Sequence, residues 1–303
     1  MSRIGIIGSG AMAQLFAARL SAVCDVVLVG SHVPNMDAIA QGITLIHANG
    51  QQSTHRVTSG SNPEMLPSCS HILVLTKSHQ TAEAAQRAAK LLARSDPNAA
   101  VLTLQNGMGN LEVLQEVIGK EYVLAGITTQ AARLEAPGKV RDTGPGSISL
   151  PSLAVEPGVS SFLQSFSEAS FELRQAPSID QLLWNKLLIN AVINPLTAIY
   201  QQANGFLLEN DKALREAKAI IAEFVKIAGK AGFHYEAPAC LSQVLEVAKA
   251  TAANHSSMLA DVQHGRKTEV DAILGYLLRR ASEAGLEAPA IQYFYQRILA
   301  AGS

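Results

Sequence analysis

The sequence has little that ties it to a charged polymer, an oxidising compartment or a bilayer. Its 24 basic and 25 acidic side chains leave a net charge of −1 over 303 residues. No global field of that size holds a polyanion, so nucleic acid is disfavoured as a partner. The three cysteines, Cys24, Cys69 and Cys240, are odd in number and far apart, with no CxxC pair and no histidine at ligand spacing. Neither a disulfide framework nor a metal site is therefore expected, and all three read as small buried hydrophobes in a reducing compartment. No segment reaches about 18 unbroken apolar residues, the length a membrane span needs. Arg3 followed by IGIIGSGAMAQLFAA has the outline of a secretory leader. Gly8 and Gly10, then Gln14 and Arg19, interrupt it in a way that suits a strand, a tight turn and a helix better. The expected setting is the cytoplasm.

What is present divides in two, as the length suggests. Up to about residue 130, short β-branched runs alternate with alanine-rich helical stretches, the pattern of a parallel sheet with crossover helices. Strands are expected near Ile4 to Ile7, Val26 to Val29, Ile72 to Leu75, Val101 to Leu104 and Val123 to Ile127. Helices are expected near Ala11 to Ser21, Thr81 to Ala93 and Asn110 to Val117. Alternating residues around Asn49-Gly50 predict an antiparallel pair between Gly42 and Thr58. Lys139 to Leu150 reads the same way and is expected to pad the far edge of the sheet. Ser, Pro and Gly cluster from Pro151 through Ser161, and one more helix and strand follow around Phe162 to Leu173. The seam is placed at Pro177 and Ser178, giving domains 1–176 and 177–303. The second is expected to be all helix, through Ala213 to Ala231, Leu241 to Gln263 and Glu269 to Ala284.

The most informative stretch is WNKLLINAVINPLTAIYQQANG, from Trp184 to Gly205, where Lys186, Asn190 and Asn194 recur four residues apart. At about 100° per residue they form a slowly winding stripe on one side of a helix that is otherwise Leu, Ile, Val and Ala. A helix apolar around most of its circumference is buried, so the stripe must find partners or face a wet cavity. The cavity reading makes Lys186 a candidate proton donor. The plain alternative is a solvated stripe with an ordinary snorkelling lysine. Against that stands the scarcity of other charge: between Ser178 and Leu208 only Asp180 and Lys186 carry any.

In doubly wound sheets, ligands lie outside the carboxyl ends of the strands. The first strand runs into Gly8-Ser9-Gly10-Ala11-Met12-Ala13, a GxGxxA fingerprint between strand and helix, so a dinucleotide pyrophosphate is expected on that helix N-terminus. The second runs into Gly30-Ser31-His32, without the Asp or Glu that holds the ribose of NAD. That favours NADP, with Ser31 and His32 as donors to a 2′-phosphate, although His32 also reads as a solvated loop residue. Thr76-Lys77 and Gln105-Asn106-Gly107-Met108-Gly109 end two further strands. Lys77 reads equally as functional or surface, and the glycines flanking Met108 suggest close backbone approach beside Asn106. Small Ala131-Ala132 leaves room for a flat ring.

A second cluster, Asn254-His255-Ser256-Ser257-Met258-Leu259-Ala260-Asp261, precedes HGRKTE from His264 to Glu269. Thr268 and Asp271 read as a capping pair, leaving Glu269 free to point at a cofactor. Taken in order, GSGAMA, TK, QNGMG, WNKLLINAVINPLTAI, ANG, NHSSMLADV and KTEVDAILG resemble ketopantoate reductase from residue 4 to about 280. The resemblance implies an N-terminal α/β Rossmann-type domain and an all-α C-terminal domain, a 6-phosphogluconate-dehydrogenase-like fold. It also implies reduction of 2-dehydropantoate by NADPH in a cleft between the domains, a step of coenzyme A biosynthesis, by a monomer or homodimer. Position by position it makes Lys186 the general acid, Asn190, Asn194, Asn204 and Ser257 substrate contacts, and Lys77, Asn106, Ala132 and Glu269 cofactor contacts. One departure is His32, where the family often carries arginine. The chemistry suits the residues, because an ammonium stabilises and protonates the oxygen that gains charge on hydride transfer. Two rival readings remain: a reductase of another small 2-keto or 3-hydroxy acid, and a non-catalytic NADPH-binding protein.

Overall fold

A computed structural model describes residues 3–93, 96–151 and 157–301. The chain forms two compact units, one of Met1–Gln105 with Asn110–Ile179, the other of Asn106–Gly109 with Asp180–Ser303.

The first unit opens β1 (Arg3–Ile7), α1 (Ala11–Leu20), β2 (Asp25–Val29), α2 (Val33–Gln41), β3 (Ile43–Ile46), β4 (Gln52–His55), β5 (Thr58–Gly60) and β6 (His71–Val74). It continues with α3 (Thr81–Leu91), β7 (Ala100–Thr103), α4 (Asn110–Ile118), β8 (Val123–Ala125), β9 (Ile127–Thr128), β10 (Ala132–Ala136) and β11 (Lys139–Asp142). It closes with β12 (Ser147–Pro151), α5 (Pro157–Glu168) and β13 (Glu172–Ala176). Six strands pair in parallel in the order β5-β2-β1-β6-β7-β8. Their apolar runs are buried on both faces, as parallel sheets require. Ile4, Ile6, Leu28, Leu73 and Leu102 enter one core with Phe16, Phe162, Phe166 and Phe171. Ile7, Val27, Val29, Ile72, Val74 and Val101 enter the other, against Ala84, Ala85, Ala88 and Leu91 of α3. The period of two along each strand makes this split. The chain runs outward from β1 in one direction and resumes at β6 on its other side, so the topological switch lies at the carboxyl ends of β1 and β6.

The hairpin around Asn49-Gly50 is present, with β3 and β4 antiparallel. The expectation for Lys139 to Leu150 is corrected. β11 pairs with β10 and β3 in a four-stranded sheet, whereas β12 lies between β13 and β9 in a separate one. Gly144 and Gly146 break the run: Gly144 has φ +135°, and a Cβ on Gly146 would lie 2.4 Å from the Gln130 backbone. Helix α2 is an addition, begun by His32 as N-cap and Pro34 in its first turn. Of the segment rich in Ser, Pro and Gly, residues 152–156 lie outside the described residues.

The second unit holds α6 (Ile179–Tyr200), a 3₁₀ segment at Asn204–Leu208, α7 (Asp211–Lys230), α8 (Ala237–Ala250), α9 (Ser257–Gln263), α10 (Val270–Glu283) and α11 (Pro289–Ala301). Among its described residues there is no strand. Leu241 to Gln263 is two helices, since the linker 251–256 leaves the helical path and Ser256 starts α9 as its N-cap. Helix α6 is long and apolar enough to cross a bilayer, yet 61% of its most apolar window is buried. Trp184, Leu187, Leu188, Ala191, Val192, Ile193 and Leu196 place it in the core of the helical unit, with Trp184 against Phe224 and Phe233.

Phe16 stacks on Phe171 at 4.4 Å between centroids and meets Phe166 edge-on at 6.1 Å. Phe16→Ala is expected to lower unfolding free energy by about 3–5 kcal/mol, measured by urea denaturation.

Candidate functional site

The glycine turn after β1 is held by backbone bonds on both sides. Gly8 N–H donates to the Val29 carbonyl at 2.8 Å, and Leu75 N–H donates to the Ile7 carbonyl at 2.9 Å. Gly8 has φ +134° and its missing Cβ would lie 3.0 Å from the Leu75 carbonyl, so glycine is required there by the fold. Gly10 differs. Its φ is −77°, and a Cβ on it would meet nothing within 4 Å. The bare position is therefore open to the outside. The amides of Ala11, Met12 and Ala13 begin α1 with no side-chain cap, and the first intrahelical bond runs from Gln14 N–H to the Gly10 carbonyl. An open cradle of free amides at a helix N-terminus fits a pyrophosphate.

Two side chains overlooked in the sequence orient this turn. Gln14 Nε2 and Asn35 Nδ2 both donate to the Ser9 carbonyl, at 2.9 and 2.8 Å. Gln14 Oε1 and Asn35 Oδ1 are left buried without a hydrogen-bond partner, a cost the turn tolerates. The signal for Gln14 was a lone amide inside an apolar helix. Gly30 lets α2 press against the same turn, since a Cβ there would lie 2.7 Å from Ser9 Cβ and 2.6 Å from Met36 Sδ. Ser31 and His32 are exposed. His32 Nδ1 accepts the Asn35 N–H at 3.3 Å, capping α2. In the neutral ring the proton then sits on Nε2, which becomes the donor. Gln105, buried at the end of β7, donates through Nε2 to the Thr76 carbonyl at 3.2 Å and the Thr81 hydroxyl at 2.9 Å. It fastens the strand ends beside half-buried Lys77. Ala132, at the start of β10, is partly buried on the same apolar cluster as Ala11 and Met12.

The helical unit gathers the remaining candidates. Lys186 and Asn190 are half-buried and Asn194 is 7% exposed. Burial pulls the Lys186 ammonium down to about 8, against the raising effect of Glu269. Glu269 is itself 5% exposed and accepts a hydrogen bond from Asn106 Nδ2 at 3.4 Å. The segment Asn106–Gly109 packs with this unit, and Met108 N–H donates to the Ala272 carbonyl at 2.8 Å. The close backbone approach expected at Gly107 is present, and its partner is α10. Its φ is +81° and its Cβ would lie 2.5 Å from Ala272 Cβ. The capping pair is corrected: Thr268 Oγ1 accepts from Val270 N–H at 3.4 Å, while Asp271 Oδ1 accepts from the Tyr295 hydroxyl at 2.6 Å.

Ser257 is exposed on the first turn of α9, and its neighbour Ser256 is the buried cap. Asn204 is 8% exposed and its Nδ2 is committed to Thr251 Oγ1 at 2.9 Å, which makes it a tie to the linker 251–256. Its Oδ1 is buried without a hydrogen-bond partner.

Sequence profiles described as Ketopantoate reductase PanE/ApbA and Ketopantoate reductase PanE/ApbA C terminal match residues 4–154 and 178–301. The chain belongs to the ketopantoate reductase family. It is similar to the 2-dehydropantoate 2-reductase of Pyrococcus abyssi, at 31% identity over 95% of this chain and 93% of the relative. It is also similar to the crystal structure of 2-dehydropantoate 2-reductase from Geobacter metallireducens GS-15, at 26% identity and a TM-score of 0.87 over 99% of both chains. D-mandelate dehydrogenase in complex with NADH and anilino(oxo)acetate has the same fold, with a TM-score of 0.90 at 22% identity over 99% of this chain and 98% of that one.

Within this ketopantoate reductase family member, the three thiols are free and held above their ordinary value by burial, Cys24 to about 11 and Cys69 to about 12. None is poised as a nucleophile. The glycines separate by substitution. Gly10→Ala is expected to change stability by no more than about 0.5 kcal/mol while weakening NAD(P)H binding at least about tenfold, read by fluorescence titration with each dinucleotide. Gly107→Ala is expected to lower stability by about 1–3 kcal/mol in thermal unfolding.

Proposed function

We propose that this chain reduces 2-dehydropantoate to (R)-pantoate with NADPH, and that Lys186 is the proton donor. The observation that carries the reading is a lysine brought to about 8 by burial, on a helix face whose next two polar positions are the neutral amides Asn190 and Asn194. A bound dihydronicotinamide supplies the hydride, and the open turn of Gly8, Ser9, Gly10, Ala11, Met12 and Ala13 is where its pyrophosphate would be held. As charge grows on the keto oxygen, the Lys186 ammonium stabilises it and transfers one proton from Nζ, leaving a neutral amine that its buried surroundings favour. Glu269 works in the opposite sense, keeping the lysine charged until that transfer. Asn190 and Asn194 each offer a donor and an acceptor, suited to the hydroxyl and carboxylate of a small hydroxy acid. Ser257 adds an exposed hydroxyl. Asn106, Lys77 and Ala132 are assigned to the cofactor.

Support for NADPH over NADH comes from the exposed pair Ser31 and His32 and from the lack of a carboxylate at Gly30-Ser31-His32. Because His32 spends Nδ1 on the α2 cap, it has one neutral donor left, less than the two-pronged grip of an arginine. The preference is therefore modest. His32→Arg is expected to raise the ratio of kcat/KM for NADPH over NADH by about tenfold, whereas His32→Asp, which keeps a capping side chain, reverses it.

Lys186→Ala is expected to reduce kcat by about 10²–10⁴ with the Kd for NADPH nearly unchanged, in spectrophotometric and binding assays run side by side. Since the acid form is required, kcat/KM for reduction is level at lower pH and falls as pH rises through about 8. Failure of the wild type to oxidise NADPH with 2-dehydropantoate, while another 2-keto acid is turned over, would replace the substrate.

A further inference from the structure

We propose that Thr197 is a positioning residue for the reaction, setting the linker 251–256 and Ser257 against the Asn194 turn of α6; this rests on the substrate reading above. Thr197 is fully buried, three residues beyond Asn194. Its Oγ1 lies 2.8 Å from the Ile193 carbonyl, 3.0 Å from the Asn194 carbonyl and 2.7 Å from Ser256 Oγ. The hydroxyl has one hydrogen. The two carbonyls and Ser256 Oγ share it as acceptors, and the contact from Thr197 Oγ1 to Ser256 Oγ is the shortest of the three. Ser256, 6% exposed, meanwhile accepts the Leu259 N–H at 3.1 Å and so caps α9. A chain of three hydrogen bonds thus runs from the Asn194 turn, through Thr197 and Ser256, into the first turn of the helix that carries Ser257.

The far end of the linker is held separately. Thr251 Oγ1 donates to the Val247 carbonyl at 2.7 Å and accepts Asn204 Nδ2 at 2.9 Å. Asn204 and Gly205 N–H donate to the carbonyls of Asn254 and Ala252, at 2.9 and 3.1 Å. Gly205 has no Cβ to spare, because one would lie 2.9 Å from Ala252 Cβ. With that end fixed, the Thr197–Ser256 bond decides where Ser257 comes to rest relative to Asn194. Pro195 sharpens the dependence. It lacks the N–H that would bind the Ala191 carbonyl, so α6 is short of one of its own bonds in this turn.

The test uses the whole protein. Thr197→Val keeps the shape and removes the hydroxyl that bonds Ser256; KM for 2-dehydropantoate is expected to rise about tenfold with kcat within about threefold and the Kd for NADPH unchanged. Thr197→Ser, which restores the hydroxyl, returns KM to near the wild-type value. Ser256→Ala breaks the same bond from the other side and reproduces the KM shift if Thr197→Val does not fold, and where both fold the double variant is no worse than either alone. An active wild type whose variants lose thermal stability but keep KM within twofold overturns the positioning role, leaving the substrate reading intact. A wild type inactive on 2-dehydropantoate overturns the substrate reading and this proposal together.

Discussion

Taking an ammonium out of water is the constraint on which the helical unit is built. Helix α6 must be apolar to form the core, with Trp184, Leu188, Val192 and Leu196 buried. The one lysine it carries therefore sits where its charged form is disfavoured. Glu269 returns part of that loss, and Asn106 occupies one of the carboxylate's oxygens so that it is not left bare. The outcome is a lysine drawn down to about 8, which a solvated surface would not produce. A proton can leave such a group and return to it within the ordinary pH range.

Glycine serves two opposite purposes in this chain. At Gly8, Gly30 and Gly107 the missing side chain lets protein backbone or side chains close in, against Leu75, Ser9 and Ala272. At Gly10 nothing closes in, and the space stays available on the outer side of a helix N-terminus. Rigidity around that space comes from amides binding one carbonyl, Gln14 and Asn35 on Ser9, and from α2 pressed onto the turn. A glycine turn of this kind is preorganised by its neighbours, since Gly8 and Gly10 have no side chains with which to brace it.

Much of this was legible before any coordinates. The parallel sheet followed from β-branched runs separated by alanine-rich stretches, and the polar stripe on α6 from a four-residue spacing that no amphipathic surface helix would leave so poor in charge. What escaped notice has a common cause. Gln14, Asn35, Gln105, Thr197 and Ser256 act on groups distant in sequence, or on backbone atoms, and a single polar residue in an apolar run looks alike whether it braces a loop or fills a gap. The break at Thr251 to Ser256 escaped for a related reason: the helix ends where Asn204 and Gly205 offer the linker a better set of backbone partners.

Residue order alone determined the two-part plan, the strand-turn-helix at Gly8 to Ala13 and the face shared by Lys186, Asn190 and Asn194, because each depends on local periodicity and on the conformational freedom of glycine. Only the tertiary structure decided that Gly107 serves α10, that Asn204 ties down a linker, that His32 spends one ring nitrogen on a helix cap, and that Lys186 is drawn to about 8. Those outcomes depend on which atoms meet across long separations and on how much water they exclude, and neither quantity is encoded in the spacing of residues along a chain.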